Sequence, residues 1–146
     1  MKLRLPIATL DILFERDGKV LYGFRKIPPY RNVWAFPGGR ILIGEKLSDT
    51  IRRVSSEYGL KVGKAYLVGV FPITFRTRSD VPISVAAPDP DGEPRVDGFE
   101  FSSFAWLAAP PKRLGANYRR MLEKWRMMKE NRKALGLHSV ASSRGG

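Results

Sequence analysis

Two adjacent glycines, Gly38 and Gly39, lead through a short loop into a segment that carries Glu45 and Glu57. Lacking a Cβ, glycine lets the backbone turn sharply and come close to a ligand. The carbonyl oxygens exposed by such a turn are hard donors of the kind Mg2+ or Mn2+ prefers, and a helical carboxylate such as Glu57 adds a second donor. A cation held this way neutralises diphosphate charge and stabilises a leaving group. The chemistry implied is cleavage of a diphosphate compound assisted by Mg2+ or Mn2+. Each feature also has a plainer reading. A glycine pair is often just a turn, and Glu57 stands four residues after Arg53, the spacing of an ordinary ion pair on a solvated helix face.

The elements that must position these residues are legible in the apolar periodicity. Residues 5–14 and 20–24 are two β-branched, apolar runs joined through Asp17-Gly18, the signature of a β-hairpin. Residues 46–58 read as a helix, with Leu47, Ile51, Val54 and Tyr58 on one stripe and Gly59 at the stop. Strands are expected at 65–75, 81–87 and 99–107. Between the last two lies PDPDGEPRVDG, residues 88–98, a loop long enough to suspect a function. Pro110-Pro111 introduces a final helix over about 115–135, with Tyr118, Met121, Leu122, Trp125 and Met128 facing the core. Residues 138–146, His138 among them, read as a loose tail. The order of strands and helices predicts an α/β fold, a mixed sheet with helices packed against it, in one domain over 1–137.

Composition sets outer bounds. The chain has 146 residues, 43% of them hydrophobic, which is enough for a globular core. No apolar run approaches the roughly 20 residues that cross a bilayer, and the N-terminus reads as a strand, not a leader. There is no cysteine, so thiolate metal sites, cysteine nucleophiles and disulfides are excluded, and a cytoplasmic location is expected. The formal charge of +12 favours a polyanionic partner. Residues 119–133 hold seven basic side chains against Glu123 and Glu130. That face reads either as solvated or as a surface for nucleic acid.

The segment GGRILIGEKLSDTIRRVSSEYGL, residues 38–60, resembles a thinned Nudix box, GX5EX7REUXEEXGU with U aliphatic. Gly39 and Glu45 match its opening; Arg52, Glu57, Gly59 and Leu60 match its close. Six residues separate Glu45 from Arg52 where the pattern has seven, which places one lost residue before the helix. Arg53 and Ser56 stand where the box carries acids. The string is most similar to the GDP-mannose mannosyl hydrolases, and Leu10-Asp11-Ile12-Leu13-Phe14-Glu15, Gly23-Phe24-Arg25 and Trp34-Ala35-Phe36-Pro37 extend the similarity toward the N-terminus.

The resemblance implies a Nudix α/β/α sandwich and a nucleotide-sugar or other nucleoside-diphosphate substrate. It also implies one Mg2+ or Mn2+ held by Gly38, Glu57 and Glu100. Arg25, Arg40 and Arg52 fall where that family places arginines near the diphosphate or the box scaffold, with Arg52 the better candidate to pair with Glu45. Guanidinium suits phosphate because it bonds two oxygens at once. Asp11 matches an active-site aspartate, although an acid among apolar neighbours also reads as a buried group satisfied by backbone donors. Arg25 and Glu100 have plainer readings too, as strand-end and strand-surface charges. A homodimer is expected by analogy alone.

One departure bears on mechanism. The family's general base is a histidine at the position of Phe101, and phenylalanine accepts no proton. Three outcomes therefore stay open: hydrolysis of a nucleotide-sugar with another base, a nucleoside triphosphate or ADP-ribose pyrophosphohydrolase, and a noncatalytic module binding RNA or protein through its basic face.

Overall fold

A computed structural model of the chain describes residues 4–28, 30–96, 98–131 and 139–142. Strands β1 (Ile7–Arg16) and β2 (Lys19–Arg25) form the expected hairpin. Asp17 and Gly18 both take positive φ, 50° and 74°, as the tight turn requires. The two strands pair only at the tip, Glu15 with Val20 and Arg16 with Lys19, and then part. The gap is filled by β3 (Trp34–Ala35), which pairs with β2, and β4 (Gly38–Arg40), which pairs with β1. Between them the Ile12 N–H donates to the Pro37 carbonyl at 2.8 Å. The glycine pair is thus a wedge driven between the first two strands, its backbone groups satisfied by strand pairing.

Helix α1 (Leu47–Glu57) lies within the expected 46–58 span and buries Ile51 and Val54. The Asp49 carboxylate accepts the Lys46 N–H at 3.0 Å, satisfying an end donor beside the positive pole of the helix. Gly59, at φ +78°, turns the chain out of the helix. There follow β5 (Leu60–Lys61), β6 (Lys64–Val70), β7 (Ile73–Thr74), β8 (Ser79–Pro88), β9 (Asp91–Gly92), β10 (Phe101–Leu107), α2 (Ala116–Glu130) and β11 (Ser139–Ser142). Among the described residues the main sheet runs β10-β2-β1-β8-β6-β11, with β3, β4 and β7 added at the side. It is mixed, as expected. β1 and β8 are parallel from the Ile7–Asp80 pair to the Glu15–Pro88 pair, and the other ladders are antiparallel. With the two helices packed on it, the fold is α/β.

The predicted stripe of α2 is buried: Tyr118, Met121, Leu122 and Trp125 join the core and Met128 packs against its margin. The basic outer face keeps Arg120, Lys124 and Arg126 exposed. Two expectations change. The 88–98 segment is not a free loop, because Asp91-Gly92 pairs with Leu60-Lys61 as a small second sheet. Arg16 ties it down further, reaching the carbonyls of Pro90 and Gly92 and the Glu93 carboxylate. A single buried-stem arginine satisfies three acceptors of a polar segment that periodicity alone reads as unstructured. Part of the expected loose tail, Ser139–Ser142, forms a strand antiparallel to β6. His138 and the last residues of the expected terminal helix lie outside the described residues. No helix among the described residues is long and apolar enough to cross a membrane.

The wedge carries a stability prediction. A Cβ at Gly38 would strike the Leu10 carbonyl oxygen, a backbone atom that cannot swing aside, and the carboxylate of the buried Asp11. Gly38→Ala is expected to cost on the order of 2–4 kcal/mol. Gly44→Ala, with open space around it but φ +83°, is expected to cost about 1 kcal/mol. Urea unfolding of the two variants checks the order.

Candidate active site

The parting of β1 from β2 opens onto a cavity of about 290 Å³. Five predicted site residues line it: Asp11 from β1, Arg25 from the end of β2, Gly38 and Arg40 from β4, and Glu100 just ahead of β10. Glu100 reaches this place through strand pairing. Phe101 pairs with Arg25, and the Lys26 N–H donates to the Glu100 carbonyl at 2.7 Å. Its carboxylate then lies 3.7 Å from the Arg25 guanidinium. Arg25 also donates to the Pro28 carbonyl at 3.1 Å and is buried.

Tyr58, which follows the last helical residue of α1, bridges two of the predicted ligands. Its hydroxyl lies 3.2 Å from the Gly38 carbonyl oxygen, to which it donates, and 3.5 Å from Glu100 Oε2. The glycine carbonyl and Glu100 thus both lie within reach of this one hydroxyl, and both are hard oxygen donors. A divalent cation displacing that hydroxyl would find these two oxygens and borrow others from a bound diphosphate and from water, the usual habit of Mg2+. The third predicted ligand is placed differently. Glu57 is half exposed, pairs with Arg53 at 3.0 Å and does not line the cavity. Among the described residues no three acidic or histidine side chains form a metal-binding group on their own.

The arginine of the box scaffold is corrected by one residue. Arg52 pairs with Asp49 at 2.8 Å on the exposed side of α1 and stays away from the cavity. Glu45 pairs instead with Arg53, through Nε at 2.8 Å and Nη2 at 3.0 Å. Arg53 also holds the Arg40 carbonyl at 2.6 Å and Glu57. The reason is helical geometry. With Ile51 and Val54 buried, one residue moves a side chain about 100° around the axis, which carries Arg53 over the 40–46 loop and Arg52 toward solvent. Seven residues separate Glu45 from Arg53, so the opening spacing of the box is intact and the lost residue falls after Arg53. Counting both arginines against the box would have found this. Glu45 itself does not line the cavity. Its bond from Arg53, followed by that from the Leu42 N–H, holds its carboxyl down at about 2, so it serves as a permanently ionised clamp on the loop.

Asp11 behaves in the opposite way. Burial raises its carboxyl from 3.8 to about 7, an effect that Arg25 opposes and that the nearby Asp80 and Glu100 reinforce. The acid is therefore balanced between its two forms near neutrality. Phe101, at the position of the absent histidine, is fully buried. Its ring packs over Gly23, where a Cβ would collide with it, and against Tyr58 and Phe104. The Arg25 guanidinium lies 5.9 Å above the ring. Phe101 thus seats Arg25 and Tyr58 and exchanges no proton. The lining also includes Tyr30, Phe36 and Tyr118, whose rings pack edge-on and tilted at 5.2–5.5 Å. Thr9, Arg78 and Asp80 line it too, and the sequence reading did not single them out.

A mixed sheet with a glycine wedge, a clamped loop and an acid-and-arginine cavity defines this α/β domain. Residues 4–125 match the model of the NUDIX domain, and the chain belongs to that family. It is 36% identical over 78 residues to the low-salt glycan biosynthesis protein Agl8 of Haloferax volcanii, covering 53% of this chain and 49% of that protein. It is 33% identical over 67 residues to an ADP-ribose pyrophosphatase of Methanocaldococcus jannaschii, covering 45% and 40% of the two chains. The matches thus span about half or less of these relatives. Among solved structures, the MutT NUDIX hydrolase of Burkholderia pseudomallei superposes with a TM-score of 0.78 at 25% identity, over 83% of this chain and 98% of that one.

Two predictions follow from the charges. Because the folded state holds a proton on Asp11 up to about pH 7 while an unfolded aspartate releases it near 3.8, stability is highest below the lower value and falls as pH rises toward the higher. Thermal melts from pH 5 to pH 8 should show this decline, and Asp11→Asn should flatten it. Arg53→Ala is expected to lower the melting temperature by several degrees, whereas Arg52→Ala changes stability by less than about 0.5 kcal/mol.

Proposed function

We propose that this chain is a hydrolase of nucleoside-diphosphate compounds, with a nucleotide-sugar as its substrate class and the cytoplasm as its place of action. The observation that carries this reading is the meeting of Arg25, Asp11, the Gly38 carbonyl and Glu100 in one cavity, with Asp11 titrating near neutrality. The likeness to a glycan biosynthesis protein supports the sugar, and the NUDIX family supports the diphosphate.

In this reading Arg25 and Arg40 bind the diphosphate oxygens, and the aromatic wall of Tyr30, Phe36 and Tyr118 receives the base. Gly38 and Glu100 would hold Mg2+ or Mn2+; Glu57, the third donor that the family resemblance assigns, would join them only on leaving its pair with Arg53. The cation supplies charge neutralisation on the diphosphate. Asp11, in its ionised form, takes the proton of the attacking water, the task that Phe101 cannot perform. Glu45 and Arg53 keep the 40–46 loop in place, so Arg40 meets the phosphate without having to order its own loop first.

A second reading rests on the likeness to an ADP-ribose pyrophosphatase and places water attack at phosphorus. A third takes the Glu57–Arg53 ion pair and the exposed cations of α2 as signs of a binding module. Product analysis separates all three. Nucleotide-sugars, nucleoside triphosphates and ADP-ribose are incubated with Mg2+ or Mn2+. The expected products are a free sugar and a nucleoside diphosphate. A nucleoside monophosphate would favour the pyrophosphatase, and no turnover with salt-dependent RNA binding would favour the module. Asp11→Asn is expected to lower kcat on the order of 10²–10⁴-fold and to abolish the rise in rate through about pH 7. A variant with full activity and an unchanged pH profile removes Asp11 from the chemistry.

A further inference from the structure

We propose that the Arg53 guanidinium takes the place of a metal ion at the end of α1 and keeps Glu57 from ligating one. The inference deepens the hydrolase reading and rests on it for one point, that a divalent cation enters the neighbouring cavity. Four hydrogen bonds carry it. Arg53 Nε donates to Glu45 Oε2 at 2.8 Å, and Nη2 to Glu45 Oε1 at 3.0 Å. The same Nη2 donates to the Arg40 carbonyl at 2.6 Å, and Nη1 to Glu57 Oε1 at 3.0 Å. Two carboxylates and a backbone carbonyl are hard oxygen groups of the kind Mg2+ or Mn2+ collects. Here one planar guanidinium collects them, from the end of β4, from the loop after it and from the last residue of α1.

Charge decides which cation the cluster keeps. Glu45 and Glu57 together carry two negative charges, and Arg53 cancels one of them. A divalent ion added to the group would leave it net positive and would stand against the guanidinium, a like charge, at close range. Glu45 has little left to give, because its Oε1 also accepts from the Leu42 N–H and the Thr50 hydroxyl. Of the two acids only the half-exposed Glu57 is free to turn elsewhere, and Arg53 holds it away from the cavity that Gly38 and Glu100 line. The metal affinity of the chain therefore depends on the oxygens that a diphosphate brings, with Gly38 and Glu100 as the protein's share.

Mn2+ is the probe, its free and bound forms being distinguished by electron paramagnetic resonance. Mn2+ alone and Mn2+ with GDP are titrated into the wild type, Glu57→Gln, Arg53→Gln and the double variant. Glutamine at 53 keeps much of the reach of the side chain and loses its charge. Glu57→Gln by itself is expected to change Mn2+ affinity less than about twofold, with or without GDP. Arg53→Gln is expected to raise the affinity for Mn2+ alone about tenfold or more, and adding Glu57→Gln removes that gain. Mn2+ then raises the melting temperature of Arg53→Gln more than that of the wild type. A variant that only melts lower and gains no affinity shows a clamp without bearing on metal, and overturns the proposal. So does a fall of about tenfold on Glu57→Gln alone, since Glu57 would then already be a ligand. That arm alters a half-exposed side chain only, so it decides the matter even if Arg53→Gln does not fold. A wild type that binds no Mn2+ even with GDP refutes the reading of the cavity instead, and the gain in Arg53→Gln, measured without GDP, is separate from it.

Discussion

The approach of Gly38 to the backbone of β1 is the constraint from which the rest of the site follows. No Cβ fits between this residue and the Leu10 carbonyl, so only glycine allows β4 to lie in the gap between β1 and β2. With β4 in place the hairpin cannot zip beyond its tip. The separation leaves Asp11 buried, brings it and Arg25 from the end of β2 to the same cavity, and leaves the Gly38 carbonyl accepting from the hydroxyl of Tyr58. Burial of Asp11, and hence its raised pKa, is a consequence of strand geometry before it is a feature of chemistry.

Two carboxylates near the glycine pair show how environment divides labour. Glu45 accepts from a guanidinium, a backbone N–H and the Thr50 hydroxyl, and remains charged at any ordinary pH. Asp11 has no such donors close by, only Arg25 at some distance and two like charges, so its ionised form is disfavoured. Groups whose surroundings drive them to opposite ends of the scale have different tasks. The firmly ionised one anchors a loop, and the one balanced near neutrality is suited to moving a proton. That split could not be seen in the sequence, where both residues are simply acids near glycines.

Much else was legible. The Asp17-Gly18 turn, the Ile51/Val54 stripe, the Gly59 stop and the buried face of α2 each follow from local rules acting over a few residues. What local pattern could not supply was the outcome of competition between equivalent groups. Arg52 and Arg53 are adjacent and chemically identical, and only the rotation of the helix on its core decides which one meets Glu45. The 88–98 segment looked free because its restraint comes from Arg16, more than seventy positions away in sequence. Asp80 escaped notice for a related reason: its place on the cavity beside Asp11 follows from the β1–β8 register, which only the assembled sheet displays.

Phe101 ties these threads together. A histidine at that point would offer a proton acceptor, whereas this phenylalanine is an apolar ring fully buried over Gly23 between Tyr58 and Phe104. Sealing it does two things at once. It places no proton acceptor at this point of β10, and it makes an apolar platform on which the buried guanidinium of Arg25 is held at 5.9 Å, one Nη donating to Pro28, the other 3.7 Å from Glu100, and Nε without a partner among the described residues. Burial likewise favours the protonated form of Asp11 on β1. Packing thus sets the character of both positions: the ring of Phe101 offers no proton acceptor, and the buried carboxyl of Asp11 holds its proton up to about pH 7.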